Sequence, residues 1–269
     1  MHFQHYLARI GHRGNVRPDF ATLCALLKAH ACTVPFENID VQMGRPLTTN
    51  VEEAYEKIVD AGRGGWCYQQ NGLFGWALSQ VGFDVTRIAA AVMRQDQGDA
   101  ANAGHLCLLV RCPGKPISYL VDVGFGGSMI RPIELTESAY SQPPFRIGLR
   151  KLTSKQWRFW EDLGGDPFSY DFVAEPASEQ ALSAKCSELQ TDPASGFVLN
   201  LVAQLRSATR HITLRGRVVR TATAAGVETM TLNSADALVS ALANLFALDA
   251  PEVAELWPGI VARHEEIFG

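Results

Sequence analysis

One cysteine, Cys67, occupies a position where a thiol would be chemically active. Two glycines, Gly64 and Gly65, lead into a segment of helical periodicity that begins at Cys67. The first N–H groups of a helix are unpaired and the positive end of its dipole lies there, so a thiolate at this position is stabilised. The alternative is a small buried hydrophobic residue, the usual role of a free cysteine. The glycines and the helix start favour a nucleophile at Cys67, and the other cysteines keep the structural interpretation.

A thiol nucleophile needs a general base, and His105 is the best placed of the seven histidines. It opens an apolar segment, 105–110, with the composition of a buried strand. Asp122 lies inside the next apolar segment, 119–123, where an unpaired carboxylate is costly. A carboxylate that orients the histidine is the third member of a nucleophilic triad. The residue types and their order therefore favour a triad of Cys67, His105 and Asp122.

The two apolar segments also predict a strand register. If Pro113 and Gly114 are the central pair of a two-residue turn, His105 lies directly opposite Asp122, with Cβ atoms about 4.5 to 5.5 Å apart. Pro-Gly suits a type II turn, whereas two-residue hairpins favour the primed types, and a one-residue slip would put the two side chains on opposite faces. Two alternatives stay open: His105 as a strand-end histidine bonded to a loop carbonyl, and Asp122 as a turn cap before glycines.

Helices in the first part of the chain must carry the cysteine. Helical periodicity predicts one helix after Asp19, a second after Asn50 and a third from about residue 67 to residue 81. Asn50 with Glu53 three residues later resembles a capping box, and Gly62 fits the end of the second helix.

Strand periodicity begins after residue 84. Strands are predicted at 85–93, 106–111, 118–123, 211–220 and 227–232. The stretch 94–103 is polar and is predicted to be a loop, 137–170 is aromatic and indicates further β packing, and a last helix is expected from Ser234. This order of helices, then antiparallel sheet, then a small mixed α/β tail indicates an α+β protein.

The composition is that of an ordinary globular protein, with 47% hydrophobic and 19% charged residues and a net charge of −4. That charge gives no general attraction to nucleic acid or to an anionic membrane. The apolar runs are far shorter than the ~20 residues needed to span a bilayer, and the N-terminus lacks the apolar core of a signal peptide, so a cytoplasmic location is expected. The six cysteines form no C-x-x-C pair and no Cys/His cluster at zinc spacing, so reduced thiols and no metal are expected.

The segment 63–71, R-G-G-W-C-Y-Q-Q-N, resembles the R-G-G-x-C-x-E-x-N signature of the arylamine N-acetyltransferases. The resemblance continues through 34–40 (V-P-F-E-N-I-D), His105 and 122–126 (D-V-G-F-G), and it covers at least residues 34–130. It implies an N-terminal helical bundle, a central antiparallel β-barrel and a C-terminal α/β lid. It also implies a core related to those of cysteine proteases and transglutaminases.

The resemblance implies a domain layout and a reaction. Residues 1–85 would contribute the nucleophile, 86–190 the histidine and aspartate, and 191–269 the lid. Acetyl-CoA, a substrate rather than a bound cofactor, would acetylate Cys67 in a ping-pong mechanism. With His105 and Asp122 completing the triad, the acetyl group would then pass to an aromatic amine, hydrazine or N-hydroxyarylamine.

The resemblance also implies binding residues. Phe125 and Phe36 resemble aromatic residues that line the family's acceptor pocket, although each could equally be a core residue. Gly126, Gly127 and Ser128 follow a predicted strand, and exposed N–H groups there could bind the pyrophosphate of coenzyme A. The alternative for these three residues is a tight turn.

One position departs from the family signature, because Gln69 stands where the family usually has Glu. The three triad positions are intact, but the charge around the thiolate changes. Two other functions stay open. A cysteine hydrolase or transglutaminase-like enzyme could use the same triad, since these reactions differ mainly in the acceptor that the cleft admits. A binding homologue with weakened catalysis is the other possibility, and Gln69 is its only indication.

Overall fold

The computed structural model describes residues 1–165 and 167–268. Its α-helices are α1 (Phe3–Arg9), α2 (Phe20–Ala31), α3 (Ile39–Gln42), α4 (Val51–Tyr55), α5 (Cys67–Val81), α6 (Arg94–Gln97), α7 (Glu179–Thr191), α8 (Gly196–Leu199), α9 (Ala235–Phe246) and α10 (Trp257–Phe268). Its strands are β1 (Phe36–Glu37), β2 (Asp84–Val92), β3 (His105–Arg111), β4 (Ser118–Val121), β5 (Ile133–Glu134), β6 (Ser138–Gln142), β7 (Phe145–Lys151), β8 (Gln156–Asp162), β9 (Phe168–Val173), β10 (Val202–Arg206), β11 (Arg210–Arg215), β12 (Val218–Thr223) and β13 (Gly226–Thr231).

The three predicted N-terminal helices are confirmed as α2, α4 and α5, with one correction at a cap. Asp19 accepts a hydrogen bond from the Thr22 N–H at 2.8 Å and so caps α2. Asn50 caps α4, but Glu53 accepts from the Thr48 hydroxyl instead of from the Asn50 N–H, so the reciprocal capping box is not formed. After α4 the chain continues in a π-helical turn, Glu56–Asp60. The helix α5 ends at Gly82, whose φ of 101° is left-handed.

Eight strands form an antiparallel sheet in the order β5-β4-β3-β2-β9-β8-β7-β6. The sheet is a curled half-barrel, and in the described residues its edge strands β5 and β6 do not pair through their backbones. The Gln142 side chain bridges the gap: its Oε1 accepts from the N–H groups of Ile130 and Arg131 at 2.7 and 3.0 Å, and its Nε2 donates to the Arg131 carbonyl. The helices α1, α2, α4 and α5 share one apolar core with this sheet.

A second sheet has the order β1-β10-β11-β12-β13 and packs one face against α9 and α10. The predicted strand 211–220 is wrong as a single element, since a turn with Gly216 at a φ of 56° divides it into β11 and β12. The helix after Ser234 is confirmed, and the Ser234 hydroxyl caps it. The helix α7 had no counterpart in the sequence prediction, and the predicted loop 94–103 contains α6 and a short 3₁₀ turn.

The strand β1 belongs to the second sheet although it lies near the start of the chain, so residues from both ends build one layer. Asn38, which follows β1, fixes this arrangement. Its Nδ2 donates to the carbonyls of Phe197 and Asn200, both at 2.8 Å, and its Oδ1 accepts from the Val202 N–H at 2.7 Å. The predicted domain boundaries stay a prediction.

Across the residues that the structure describes, no helix combines the length and the apolar character that a bilayer crossing requires. Within the same ranges no group of three or more His, Cys, Asp and Glu side chains is placed to hold a metal ion. The cytoplasmic location stays a prediction.

Candidate active site

Cys67 is the first residue of α5 and lies at the wall of a cleft of about 800 Å³. The glycines before it allow the chain to pass close to its neighbours. Gly65 donates to the Pro35 carbonyl and accepts from the Glu37 N–H, both at 3.2 Å. A Cβ atom on Gly64 would lie 2.3 Å from the Pro35 oxygen, so no larger residue fits there. The thiol is therefore held at a helix start by backbone pairing on its N-terminal side.

His105 and Asp122 meet beside the thiol. The imidazole Nε2 lies 2.7 Å from Asp122 Oδ2, and both side chains are almost completely buried. Burial acts to lower the pKa of His105, but the Asp122 charge and hydrogen bond, together with the Cys67 side chain, outweigh it and raise that pKa to about 10. Burial would raise the pKa of Asp122, whereas the histidine and hydrogen bonds from Asn71 and Gly124 bring it below its usual value. The pair therefore favours imidazolium beside carboxylate.

The predicted register of β3 and β4 is wrong by two residues. Leu108 faces Val121 and Arg111 faces Ser118, so the register, when continued, places Asp122 opposite Cys107. The turn itself forms, since the Lys115 N–H donates to the Cys112 carbonyl at 3.0 Å. Pro116 has no N–H to offer the ladder, so pairing resumes only at Ser118. A shift of two keeps side chains on their face, so His105 and Asp122 reach each other diagonally.

Asn71 links α5 to β3 and to the residues that follow β4, and no role was predicted for it from the sequence. Its Nδ2 donates to Asp122 Oδ1 at 2.8 Å and to the Leu106 carbonyl at 2.6 Å, and its Oδ1 accepts from the Val123 N–H at 3.0 Å. It lies four residues after Cys67, a spacing that places both side chains on one helix face. This four-residue spacing was the sequence signal that could have placed Asn71 beside Cys67.

Tyr170 is a second residue that the sequence argument missed. Its ring lies 4.9 Å from the His105 ring, centroid to centroid, and is fully buried. Burial, with the nearby Asp122 charge, raises the pKa of the phenol well above its usual value, so the ring stays neutral. Phe125 lies on the same imidazole at 5.1 Å and stacks on Phe168 at 5.1 Å. An aromatic wall therefore holds the histidine from the side of the curled sheet.

Comparison with known proteins identifies the family of this chain. A family profile described as N-acetyltransferase matches residues 19–253. The arylamine N-acetyltransferase of Mycolicibacterium smegmatis is 34% identical over 93% of this chain and 92% of its own length. The chain belongs to the arylamine N-acetyltransferase family.

Solved structures of the family share the whole fold. An M. smegmatis arylamine N-acetyltransferase superposes with a TM-score of 0.89 at 32% identity, covering 97% of this chain and 98% of that one. The Mycobacterium marinum arylamine N-acetyltransferase in complex with CoA gives a TM-score of 0.87 at 30% identity, covering 97% and 98%. This chain is therefore similar to these acetyltransferases from end to end.

Gly124 is the position in this acetyltransferase fold where the loop after β4 touches the helix of the cysteine. A Cβ atom there would lie 2.7 Å from Cys67 Cα and 2.6 Å from Asn71 Nδ2. We therefore expect Gly124→Ala to lower the free energy of unfolding by about 1 to 3 kcal/mol through overpacking. It should also displace the thiol and reduce its alkylation rate.

Urea unfolding and iodoacetamide labelling measure these two effects. Gly259→Ala is the matched control, because a Cβ atom at Gly259 meets nothing within 4 Å. Wild-type stability and labelling in Gly124→Ala would show that the loop can move away from the helix at no cost.

The predicted CoA-binding segment lies between the two sheets. Gly126 and Gly127 have φ values of 101° and 102°, and the Gly126 carbonyl accepts from His211 Nε2 at 2.6 Å. A Cβ atom on Gly126 would lie 2.4 Å from Gln204 Oε1. Ser128 is buried. The segment is thus a tight turn in contact with β10 and β11, and its role in CoA binding stays a prediction.

Gln69, the departure from the family signature, faces away from the thiol. It lies two residues after Cys67 on α5, and side chains at that spacing do not share a helix face. Its Oε1 accepts from Lys57 Nζ at 3.3 Å, and the same ammonium pairs with Glu37 at 2.9 Å and Asp40 at 2.6 Å. The neutral amide therefore belongs to an ion cluster on the side of α5 away from Cys67.

This ion cluster has equal numbers of cations and carboxylates: Arg45, Lys57 and Arg63 with Glu37, Asp40 and Glu252. An amide at position 69 leaves that balance intact. A carboxylate there would add one buried negative charge beside Glu37. The substitution in this acetyltransferase is therefore electrostatically matched to its surroundings.

Proposed function

We propose that this chain transfers an acetyl group from acetyl-CoA to an aromatic amine through a thioester on Cys67. Membership of the family and the CoA complex of the M. marinum relative support the donor. The observation that carries the mechanism is the hydrogen-bonded pair of His105 and Asp122 beside a thiol at the wall of a large cleft. Other acceptors of the same chemistry are hydrazines and N-hydroxyarylamines.

The first half-reaction, acetylation of Cys67, depends on the positive charge of His105. Imidazolium at His105 stabilises the Cys67 thiolate, which attacks the carbonyl carbon of the acetyl thioester. A bond from Cys67 sulfur to the acetyl carbon forms as the bond to the CoA sulfur breaks. The departing CoA thiolate takes the proton from His105. Asp122 holds the imidazole through Nε2, which leaves Nδ1 for this proton.

In the second half-reaction His105 accepts a proton instead of donating one. The amine nitrogen attacks the acetyl carbon on Cys67, and His105 accepts the proton that the nitrogen loses. The carbon–sulfur bond breaks, which releases the amide and restores the thiolate beside imidazolium. The enzyme therefore exists in an acetylated form between two substrates, and initial rates should follow a ping-pong pattern.

Different residues of the cleft would contact the aromatic acceptor and CoA. Phe36 and Phe125 line it near the thiol, and we assign them to the aromatic acceptor. Arg215 lines the same cleft and supplies positive charge for the phosphates of CoA, whereas Lys185 in that lining is paired with Glu188. The turn formed by residues 126–128 is the alternative place for the pyrophosphate.

Phe125→Ala should change the choice of amine more than it slows acetylation of Cys67. The ring forms part of the apolar acceptor wall, while His105 keeps its contact with Tyr170 after the ring is removed. We expect KM for aromatic amines to rise about tenfold, which corresponds to about 1.4 kcal/mol of lost contact with the acceptor ring. Separate kinetics of the two half-reactions measure this.

Phe159→Ala is the control, because Phe159 is buried, packs edge-on against Phe125 at 5.8 Å and does not line the cleft. That variant should lose stability without a change in amine selectivity. Equal losses in both half-reactions of Phe125→Ala would assign Phe125 to packing under His105.

Mass spectrometry after incubation with acetyl-CoA tests the proposed function directly. A single acetyl group on Cys67 that persists until an aromatic amine is added supports the transferase. Rapid release of acetate without an amine would support the hydrolase alternative. No adduct at any pH would support a binding protein.

Gln69→Glu tests whether the amide disables catalysis. The added charge lies on the Lys57 side of α5, so we expect a shifted pH profile and a change of less than about tenfold in the maximal rate of Cys67 acetylation. Stopped-flow acetylation of both proteins across pH measures this.

Gln70→Glu is the matched control on the next residue. Gln70 Nε2 donates to the carbonyls of Pro35 and Gly65 at 3.2 and 2.7 Å, and a carboxylate would lose both bonds. That variant should lose far more activity or fail to fold. An inert wild type beside an active Gln69→Glu protein would instead establish the binding homologue.

A further inference from the structure

A second cavity, of about 200 Å³, lies next to the catalytic cleft and contains none of the three triad side chains. Phe168 and Gln204 line both cavities and separate them. A cavity of about 150 Å³ holds benzene, so this one has room for a single substituted ring. We call it the second pocket, and its lining includes Phe145, Glu161, Phe168, His211, Thr213 and Arg220.

The walls of the second pocket come from both sheets. Glu161 on β8 lies directly opposite Phe168 on β9. Thr213 on β11 lies opposite Arg220 on β12, and His211 is two residues from Thr213 on the same face. One wall is therefore aromatic and the opposite wall carries donors, which is the usual construction of a small-molecule site.

Positive charge around the second pocket is not balanced by ion pairs. Within residues 1–165 and 167–268, neither Arg206 nor Arg220 lies within 4.0 Å of a carboxylate oxygen. Arg206 is 1% exposed, and its Nη2 donates to the carbonyls of Gln142 and Pro143 at 2.7 Å each. Its Nε and Nη1 are buried without a partner in that part of the chain. Arg206 does not line the second pocket itself, but its guanidinium lies 5.3 Å from the ring centroid of Phe145, which does. This buried cation therefore adds positive potential behind the pocket wall.

Glu161 does not supply that anion at neutral pH. Burial raises its pKa to about 8, and the charge of Asp122 adds to this, against opposing effects of Ser128, Arg206 and His105. Its Oε2 is buried with no hydrogen-bond partner in the described ranges. A protonated carboxyl is a hydrogen-bond donor, so Glu161 joins Arg220 as a donor rather than opposing it.

We propose that the second pocket binds a small organic anion, a monocyclic carboxylate, whose charge lies on Arg220 and whose ring lies between Phe145 and Phe168. The two walls fit the two halves of such a molecule, and Arg220, an exposed residue of the lining, supplies the positive countercharge for its carboxylate. Phe168 also stacks on Phe125, and His211 holds the Gly126 carbonyl, so the occupied pocket contacts the loop of the catalytic cleft.

Calorimetric titration with benzoate tests the proposal on the Cys67→Ser protein without CoA, so the outcome does not depend on acetyl transfer. Arg220→Gln should weaken benzoate binding at least about tenfold, because it removes a charge-assisted hydrogen bond. Arg210→Gln is the matched control on the neighbouring strand, exposed and outside the second pocket, and should bind benzoate like the parent.

The pH dependence gives a second readout. Benzoate affinity should fall as pH rises from 7 to 9 through the pKa of about 8 at which Glu161 ionises and repels the ligand. Other charged or titratable groups near Glu161 are Asp122, Arg206, His105 and Tyr170, with His211 and Arg220 in the same pocket. Burial lowers the pKa of His211 to about 4, so His211 stays neutral from pH 7 to 9. Glu161→Gln cannot ionise and should remove most of that fall.

Two outcomes would overturn the proposal. The first is no benzoate binding at millimolar concentration in the parent protein. The second is binding that is lost in Phe36→Ala but unchanged in Arg220→Gln, since this would place benzoate in the catalytic cleft.

Discussion

The Cys67→Ser protein is expected to fold like the wild type and to transfer acetyl groups at least about a thousandfold more slowly. A serine hydroxyl stays protonated at neutral pH, so the imidazolium of His105 has no thiolate to stabilise, and the nucleophile is lost. Removal of a nucleophile from such a unit costs about as much as removal of the whole unit. Release of the CoA thiol in the presence of an aromatic amine measures the rate.

Cys24→Ser is the control for this loss, since Cys24 lies on α2 with partial exposure, outside the cleft. It should retain wild-type activity. Turnover of Cys67→Ser within about tenfold of the wild type would exclude Cys67 as the nucleophile, even if the acetyl adduct were seen.

Asp122→Asn is expected to lower activity by about three to four orders of magnitude, as the same change does in other triads. Without the Asp122 charge, burial, which lowers the pKa of His105, is opposed only by the contact with Cys67, so we expect that pKa to fall. A larger neutral fraction of imidazole leaves the thiolate without its counterion. Iodoacetamide labelling of Cys67 should therefore slow at pH 7 and recover only at higher pH.

The matched control is Asp171→Asn, which removes a buried carboxylate whose partner is Arg158 at 2.6 and 2.9 Å. It should cost stability but leave the pH profile of labelling unchanged. Circular dichroism on both variants separates loss of fold from loss of charge. A labelling profile of Asp122→Asn that coincides with the wild type would show that Asp122 is a turn cap.

The sequence predicted the bounds of those elements whose ends are set by a few neighbouring residues. The helix α5 was predicted to its first and last residue, because Gly64 and Gly65 precede it and Gly82 can adopt the left-handed conformation that ends it. The strands β3 and β4 were also located to within two residues, since their apolar runs are bounded by a polar loop and a Pro-Gly turn.

Features that depend on distant contacts were not predictable in this way. The register of β3 and β4 is set where pairing resumes after Pro116, which the turn residues alone do not specify. Asn71 and Tyr170 acquire their positions only when α5 and β9 meet the same strand end. The separation of β11 from β12 at Gly216 differs from these features, because a glycine inside a strand pattern was itself a local signal of a turn.

The pairing of β1 with β10 has a consequence for folding during synthesis on the ribosome. The Asn38 side chain accepts a hydrogen bond from the Val202 N–H, and Val202 is synthesised 164 residues after Asn38. At synthesis rates of about 5 to 20 residues per second, this interval lasts roughly 10 to 30 s. During that time the helices can form around Cys67, but the cleft that selects substrates has no second wall. The nascent chain therefore acquires its candidate nucleophile well before the second sheet can complete the cleft around it.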